Sequence, residues 1–188
     1  MQKSIRQSIF WITHTAVMTA LLVIVQFLTA SLGNQYVTGS VVNLLLAVSA
    51  LTFGPSTGCT VAAISPVFAF LVGVGPVFPP LIPFIILGNL TFVIAWFLLG
   101  RVSNPEASAS RKRILIFISP ITAAIIKFLT LYTSVTLVAI PYILNVNDKQ
   151  SAMLSLMFSY PQLITALIGS SLAVAITPTL KKALRFSA

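Results

Sequence analysis

Along this chain apolar residues are the rule and polar residues the interruption. Long runs of Leu, Ile, Val, Phe and Ala are broken by short polar or Pro/Gly-rich stretches. A helix that crosses a bilayer needs about 20 predominantly apolar residues, and on that measure the pattern predicts six spans. The first covers residues 8–31. A polar, glycine-bounded stretch at 33–39 follows and reads as a loop. The second run, 40–53, is short and is closed by Gly54-Pro55. The third covers 56–74, with Pro66 expected to bend it, because proline removes a backbone donor and crowds the preceding turn. Gly75-Pro76 through Pro79-Pro80 reads as a rigid connection to the fourth span, 81–99. A hydrophilic loop at 101–113 precedes the fifth span, 114–140, which Pro141 ends. A polar segment at 145–150 then leads into the sixth, 153–176.

Composition agrees with the pattern. The chain is 57% hydrophobic and 7% charged over 188 residues, too little charge to cover the surface of a soluble domain of that size. The expected fold class is therefore an all-α integral membrane protein, a six-transmembrane-helix bundle forming one domain over 1–188. The basic residues test the count. Six spans put Lys3, Arg6, Arg101, Arg111, Lys112, Arg113, Lys181, Lys182 and Arg185 on one side, and Lys149 on the other. Positively charged flanks stay in the cytoplasm, so the N-terminus and the C-terminus are expected there. Five or seven spans would scatter the clusters across both faces. The net charge of +9 is thus an orientation signal, and no nucleic-acid partner is expected, since no aromatic-laced basic face is present. The first run lacks a small-residue cleavage site, so a removable signal peptide is not expected. No internal repeat points to an inverted-repeat transporter.

Against this apolar background a few polar residues carry the candidate chemistry. Lys127 falls near the middle of the fifth span, where an ionisable group is costly and usually faces the bundle interior. Thr130 and Ser134 follow three and seven residues on, which places them on the same helical face. That face reads either as a cavity lining that presents a cation to an anionic or carbonyl-bearing ligand, or as a lysine that caps a neighbouring helix. Asn43, Asn89 and Gln162 are amides at membrane depth, suited to the polar uncharged parts of a ligand or to holding helices together. Ser159, on the face of Gln162, and Tyr160 would extend the pocket. Gln26 is a further candidate for its lining. His14 reads as structural, near the cytoplasmic interface. Cys59 reads as a small buried hydrophobe. Ala16 and Ala20 are small residues four apart, a spacing that lets another helix approach closely.

The residue types for catalysis are missing. The acidic residues, Glu106 and Asp148, both fall in expected loops, and no phosphate-binding loop or metal-ligand spacing appears. No enzyme activity, no cofactor and no metal are expected.

The whole length resembles the substrate-binding S component of an energy-coupling factor (ECF) vitamin transporter. The resemblance lies in Ala16-Val-Met-Thr-Ala20, Gly39-Ser-Val-Val-Asn43, Ile64-Ser-Pro66, Leu87-Gly-Asn89, Lys127-Phe-Leu and Ser159-Tyr-Pro-Gln162, combined with size and span count. It implies a subunit of the bacterial cytoplasmic membrane that captures a small water-soluble vitamin from outside. Ala16 and Ala20 would dock on a transmembrane coupling (T) subunit driven by two cytosolic ATPase subunits. The chain would topple within the membrane to release its cargo, and the outer loop at 33–39 would act as a gate. Lys127 favours a carboxylated ligand and the amides suit hydroxyl and amide groups, which puts pantothenate first and a pyridoxine- or hydroxymethylpyrimidine-like vitamin second. The alternative is a stand-alone small-solute channel or facilitator.

Overall fold

A computed structural model describes the backbone of residues 2–76, 78–102 and 109–186, and the side chains of 5–76, 78–99 and 115–184. The described residues form helices and no strands: α1 Gln2–Ala30, α2 Gln35–Phe53, α3 Pro55–Leu71, a 3-10 turn Pro79–Leu81, α4 Ile82–Val102 and α5 Ala109–Leu131. A π-helical segment Tyr132–Ala139, a single turn α6 Ile140–Tyr142, then α7 Asp148–Met157 and α8 Tyr160–Phe186 complete the order. In lipid every backbone polar group must be satisfied within the chain, and helices do this segment by segment. Five stretches are long and apolar enough to cross a membrane: Ile5–Ala30, Gln35–Phe53, Pro79–Leu99, Leu115–Tyr142 and Asp148–Leu184, the last spanning α7 and α8 together. The apolar α3 has 17 residues, about 26 Å of helix against a hydrocarbon core of about 30 Å. Large apolar side chains face outward, with Phe117 at 73% and Leu71 at 69% exposure. Such a surface would associate in water. The chain is a multi-pass helical membrane protein.

Several expected boundaries move. The stretch 33–39 is not a loop. Asn34 caps α2, its side chain accepting from Tyr36 N at 2.9 Å, and Gln35 to Gly39 form the first turn and more of that helix. The α1–α2 connection shrinks to residues 31–34, and α2 reaches 19 residues. One residue, Gly54, joins α2 to α3, with φ +92 and ψ 176, a conformation open almost only to glycine. Pro55 follows as the first helical residue, where its missing N–H costs nothing. The expected loop 101–113 shortens as well, because α4 runs to Val102 and α5 starts at Ala109. Residues 103–108, including Glu106, lie outside the described residues. The expected sixth span is two helices. Pro161 cannot sit inside a helix without losing a hydrogen bond, so α7 ends at Met157 and α8 restarts at Tyr160, with Gln162 N bonding Ser159 O at 3.0 Å.

α2 is the central post and packs most extensively against α8. A Cβ on Gly169 of α8 would stand 2.5 Å from Ser40 O and 2.6 Å from Asn43 Cβ. Only a hydrogen fits there, so the two backbones touch, as small residues allow in membranes. Two apolar clusters result. The larger, with Leu46, Val61, Phe92 and Val93 fully buried, joins α1 to α5 and α8. The smaller gathers Leu81, Leu131, Val135, Leu144, Leu154 and Phe158 around the π segment and α7.

Candidate functional site

Between the two clusters the chain leaves a cavity of about 570 Å³, within the usual range for small-molecule sites. Lys127 stands at its inner end, 3% exposed. Its Nζ donates to Asn43 Oδ1 at 2.6 Å and to Asn89 Oδ1 at 2.7 Å, and lies 5.3 Å from the centre of the Phe92 ring. Asn43 in turn donates through Nδ2 to Thr165 Oγ1 at 3.3 Å, and Thr165 Oγ1 donates to Gln162 O at 3.2 Å. One polar chain therefore ties α4, α5, α2 and α8 together at mid-bundle. Glycine permits this approach on a second side. A Cβ on Gly88, beside Asn89, would meet Leu131 Cδ2 at 2.5 Å, one turn beyond Lys127.

The charge at this point is held by neutral oxygens. Asp148 is an exposed residue opening α7 and Glu106 lies outside the described residues; among the described residues Lys127 has no acidic partner. An ammonium has three N–H donors, and the two asparagines take two of them. A buried cation of this kind is costly until an anion joins it.

Toward the end of the bundle that carries the 31–34 turn and α7, the wall becomes apolar, with Val42, Ile85, Leu131, Leu81 and Phe78. Glutamines stand at the outer rim. Gln35 Nε2 donates to Met157 O at 2.8 Å, and Gln162 Nε2 donates to the same carbonyl at 3.2 Å. Gln150 closes a reciprocal cap on α7, its backbone N–H donating to Asn147 Oδ1 at 2.9 Å while its Oε1 accepts from Asn147 N at 3.2 Å.

Of the residues singled out in the sequence, Asn43, Asn89, Lys127 and Gln162 line this cavity together, and so does Gln26. Thr130, Ser134 and Ser159 are not among the lining residues. Their hydroxyls are spent on their own helices: Thr130 Oγ1 on Ile126 O at 2.8 Å, Ser134 Oγ on Thr130 O, Ser159 Oγ on Leu156 O at 2.8 Å. Back-bonding of this kind takes up helix carbonyls and distorts the turn, and the π segment begins at Tyr132. The helical-face argument from Lys127 thus breaks at this point; the face continues through Leu131 and Val135, both buried. Tyr160 is 53% exposed and is not among the lining residues. His14 is structural in setting, stacked 4.3 Å from the Phe53 ring and bonding Phe10 O through Nδ1 at 2.7 Å. Cys59 is half-buried against the larger cluster.

Ala16 and Ala20 lie elsewhere, exposed on the outer face of α1. They line an apolar groove of about 540 Å³ between α1 and α3, with Thr60, Ile64 and Phe68 across from them. Residues that sequence reasoning missed are Gln35, Thr38 and Gln150, all cavity-lining. Their polarity was visible, but it was read as solvent exposure.

Against known families, residues 11–181 match the model of the ECF transporter, substrate-specific component. The chain belongs to that family. No curated protein and no solved structure matches it. It is accordingly a substrate-binding subunit of an ECF transporter.

Proposed function

We propose that this subunit captures a small water-soluble vitamin bearing a carboxylate, with pantothenate the first candidate. The observation that carries the reading is Lys127, buried at the inner end of the cavity and bonded to Asn43 and Asn89, with no acidic partner among the described residues. A carboxylate placed there would supply the missing counter-charge and accept the remaining ammonium N–H. Asn43, Asn89, Lys127 and Gln162 are the ligand-binding residues on this reading, while Thr130, Ser134 and Ser159 serve the helices that hold them. A pyridoxine- or hydroxymethylpyrimidine-like vitamin ranks second, because a neutral ligand leaves the ammonium uncompensated.

The chain acts as one transmembrane domain over 1–188, with six spans and both termini in the cytoplasm of a bacterial cell. α3 completes the six beside the five longer stretches, short in hydrocarbon but flanked by neighbours. The exposed Ala16–Ala20 groove docks on the transmembrane coupling subunit, and two ATPase subunits supply the energy. A stand-alone channel is less well supported, since the fully buried Leu46, Val61, Phe92 and Val93 pack below the cavity.

The test is a thermal-shift and native mass-spectrometry screen of the detergent-purified chain against the B vitamins. The expected result is one bound carboxylated vitamin that raises the melting temperature. If none binds, or if a neutral vitamin alone does, the carboxylate reading fails.

A further inference from the structure

The inner end of the cavity has a counterpart at its rim, and the two are a fixed distance apart. Asn43 and Gln35 both line the cavity from α2. Eight residues of α-helix separate them, a rise of about 12 Å. Between these levels the facing wall is Ile85, Leu131, Leu81 and Phe78, which offers no hydrogen bonds from side chains. The cavity is polar at both ends and mostly apolar between, with Thr38 the polar residue that α2 places between Gln35 and Asn43.

The rim also has a defined polarity. Gln35 and Gln162 reach it from different helices and give their Nε2 groups to one acceptor, Met157 O, at 2.8 and 3.2 Å. An amide with one N–H committed in this way is fixed in orientation and keeps its carbonyl oxygen as an acceptor and its second N–H as a donor. Gln150 spends its Oε1 on Asn147 N within α7. The rim therefore presents amide acceptors and donors, as the inner end presents a donor cation.

Resting on the carboxylate reading above, we propose that the cargo is an elongated, two-ended molecule. It carries a carboxylate at one end, an apolar or weakly polar spacer, and a hydroxyl or N–H group at the far end, read by Gln35 and Gln162. Compact acids reach one end only, and long acids without a far polar group leave the rim amides unpaired.

Four probes separate the parts of this proposal. Nicotinate is a short carboxylate, lipoate a long one without a far donor, and pantothenate and biotin are long carboxylates with far hydroxyl or N–H groups. Calorimetry on the detergent-purified full chain should place pantothenate or biotin at least about tenfold tighter than both lipoate and nicotinate, the scale of one buried hydrogen bond. The double variant Gln35→Leu, Gln162→Leu should bring the preferred ligand down to the lipoate level and leave lipoate within about twofold. Lipoate binding then reports that the variant is folded; if it does not fold, the wild-type panel decides alone.

Nicotinate as the tightest ligand overturns the length. Lipoate equal to pantothenate and biotin overturns the far donor. Panthenol, in which the carboxylate of pantothenate is an alcohol, isolates the premise: binding equal to pantothenate overturns the carboxylate reading and leaves the length standing. Failure of all four acids overturns both.

Discussion

Replacing Lys127 by Met sets stability against binding, and the two are expected to move differently. The substitution removes the donor from Asn43 Oδ1 and Asn89 Oδ1. A buried acceptor left without a partner costs about 1–3 kcal/mol, so the pair costs about 2–6 kcal/mol. The same substitution removes a buried ammonium that has no acidic partner among the described residues and whose effective desolvation penalty is several kcal/mol. The terms are of equal size and opposite sign. Lys127→Met should therefore leave the melting temperature of the empty protein within a few degrees of the parent, or raise it. Binding has no such offset. Truncating one member of a buried, hydrogen-bonded charge pair costs about 2–5 kcal/mol, a loss of about 30-fold to several thousand-fold in affinity for a carboxylated vitamin. Differential scanning fluorimetry with and without pantothenate reads both quantities in one experiment. An unchanged dissociation constant, or a fall of more than about 10 °C in the empty protein (well over 1 kcal/mol for a chain of this size), would show that the lysine is a structural clasp and refute the reasoning.

Three further outcomes follow from the geometry. Asn43→Asp places a carboxylate beside Lys127 Nζ and should abolish binding of carboxylated vitamins by supplying the counter-charge internally, while raising the melting temperature of the empty protein; retained binding by calorimetry would contradict this. Gly169→Ala drives a Cβ to 2.5 Å from Ser40 O and should cost about 1–3 kcal/mol, read as a lower melting temperature with weakened ligand binding, because the same contact sets Asn43. Ala16→Trp with Ala20→Trp should prevent co-purification with the coupling subunit and leave vitamin affinity within about twofold, since both residues are exposed and remote from the cavity; lost vitamin binding would instead mean that the α1–α3 groove is internal packing.

The helices were legible because the spans are written in the plainest signal a chain has, unbroken apolar length. Lys127, Asn43 and Asn89 were legible for the complementary reason: in hydrocarbon a polar side chain must find partners, so three on different spans point to one another. What escaped follows from the same inversion of solvent. Gln35 and Thr38 looked like loop because polar residues usually mark water, yet here they face an internal cavity from a helix. Thr130 and Ser134 looked like pocket from their spacing to Lys127, but the hydroxyl of Thr130 turns back to Ile126 O within α5 and Ser134 lies beyond Tyr132, where the chain turns π-helical. Neither a hydroxyl's choice of its own backbone carbonyl nor a change of helical pitch is encoded in spacing. The break at Ser159 was marked by Pro161, but a continuous apolar run on both sides masked it.

Phe92 lies beneath the ammonium with Leu46, Val61 and Val93 around it, none of them reached by solvent. The site is then a cup with a single rim. Loading and emptying share one path, so cargo that arrives must leave the way it came, past the rim. A cup also does not leak. Liposomes holding this protein by itself should keep an imposed ion gradient as long as empty ones do, with cargo bound or not.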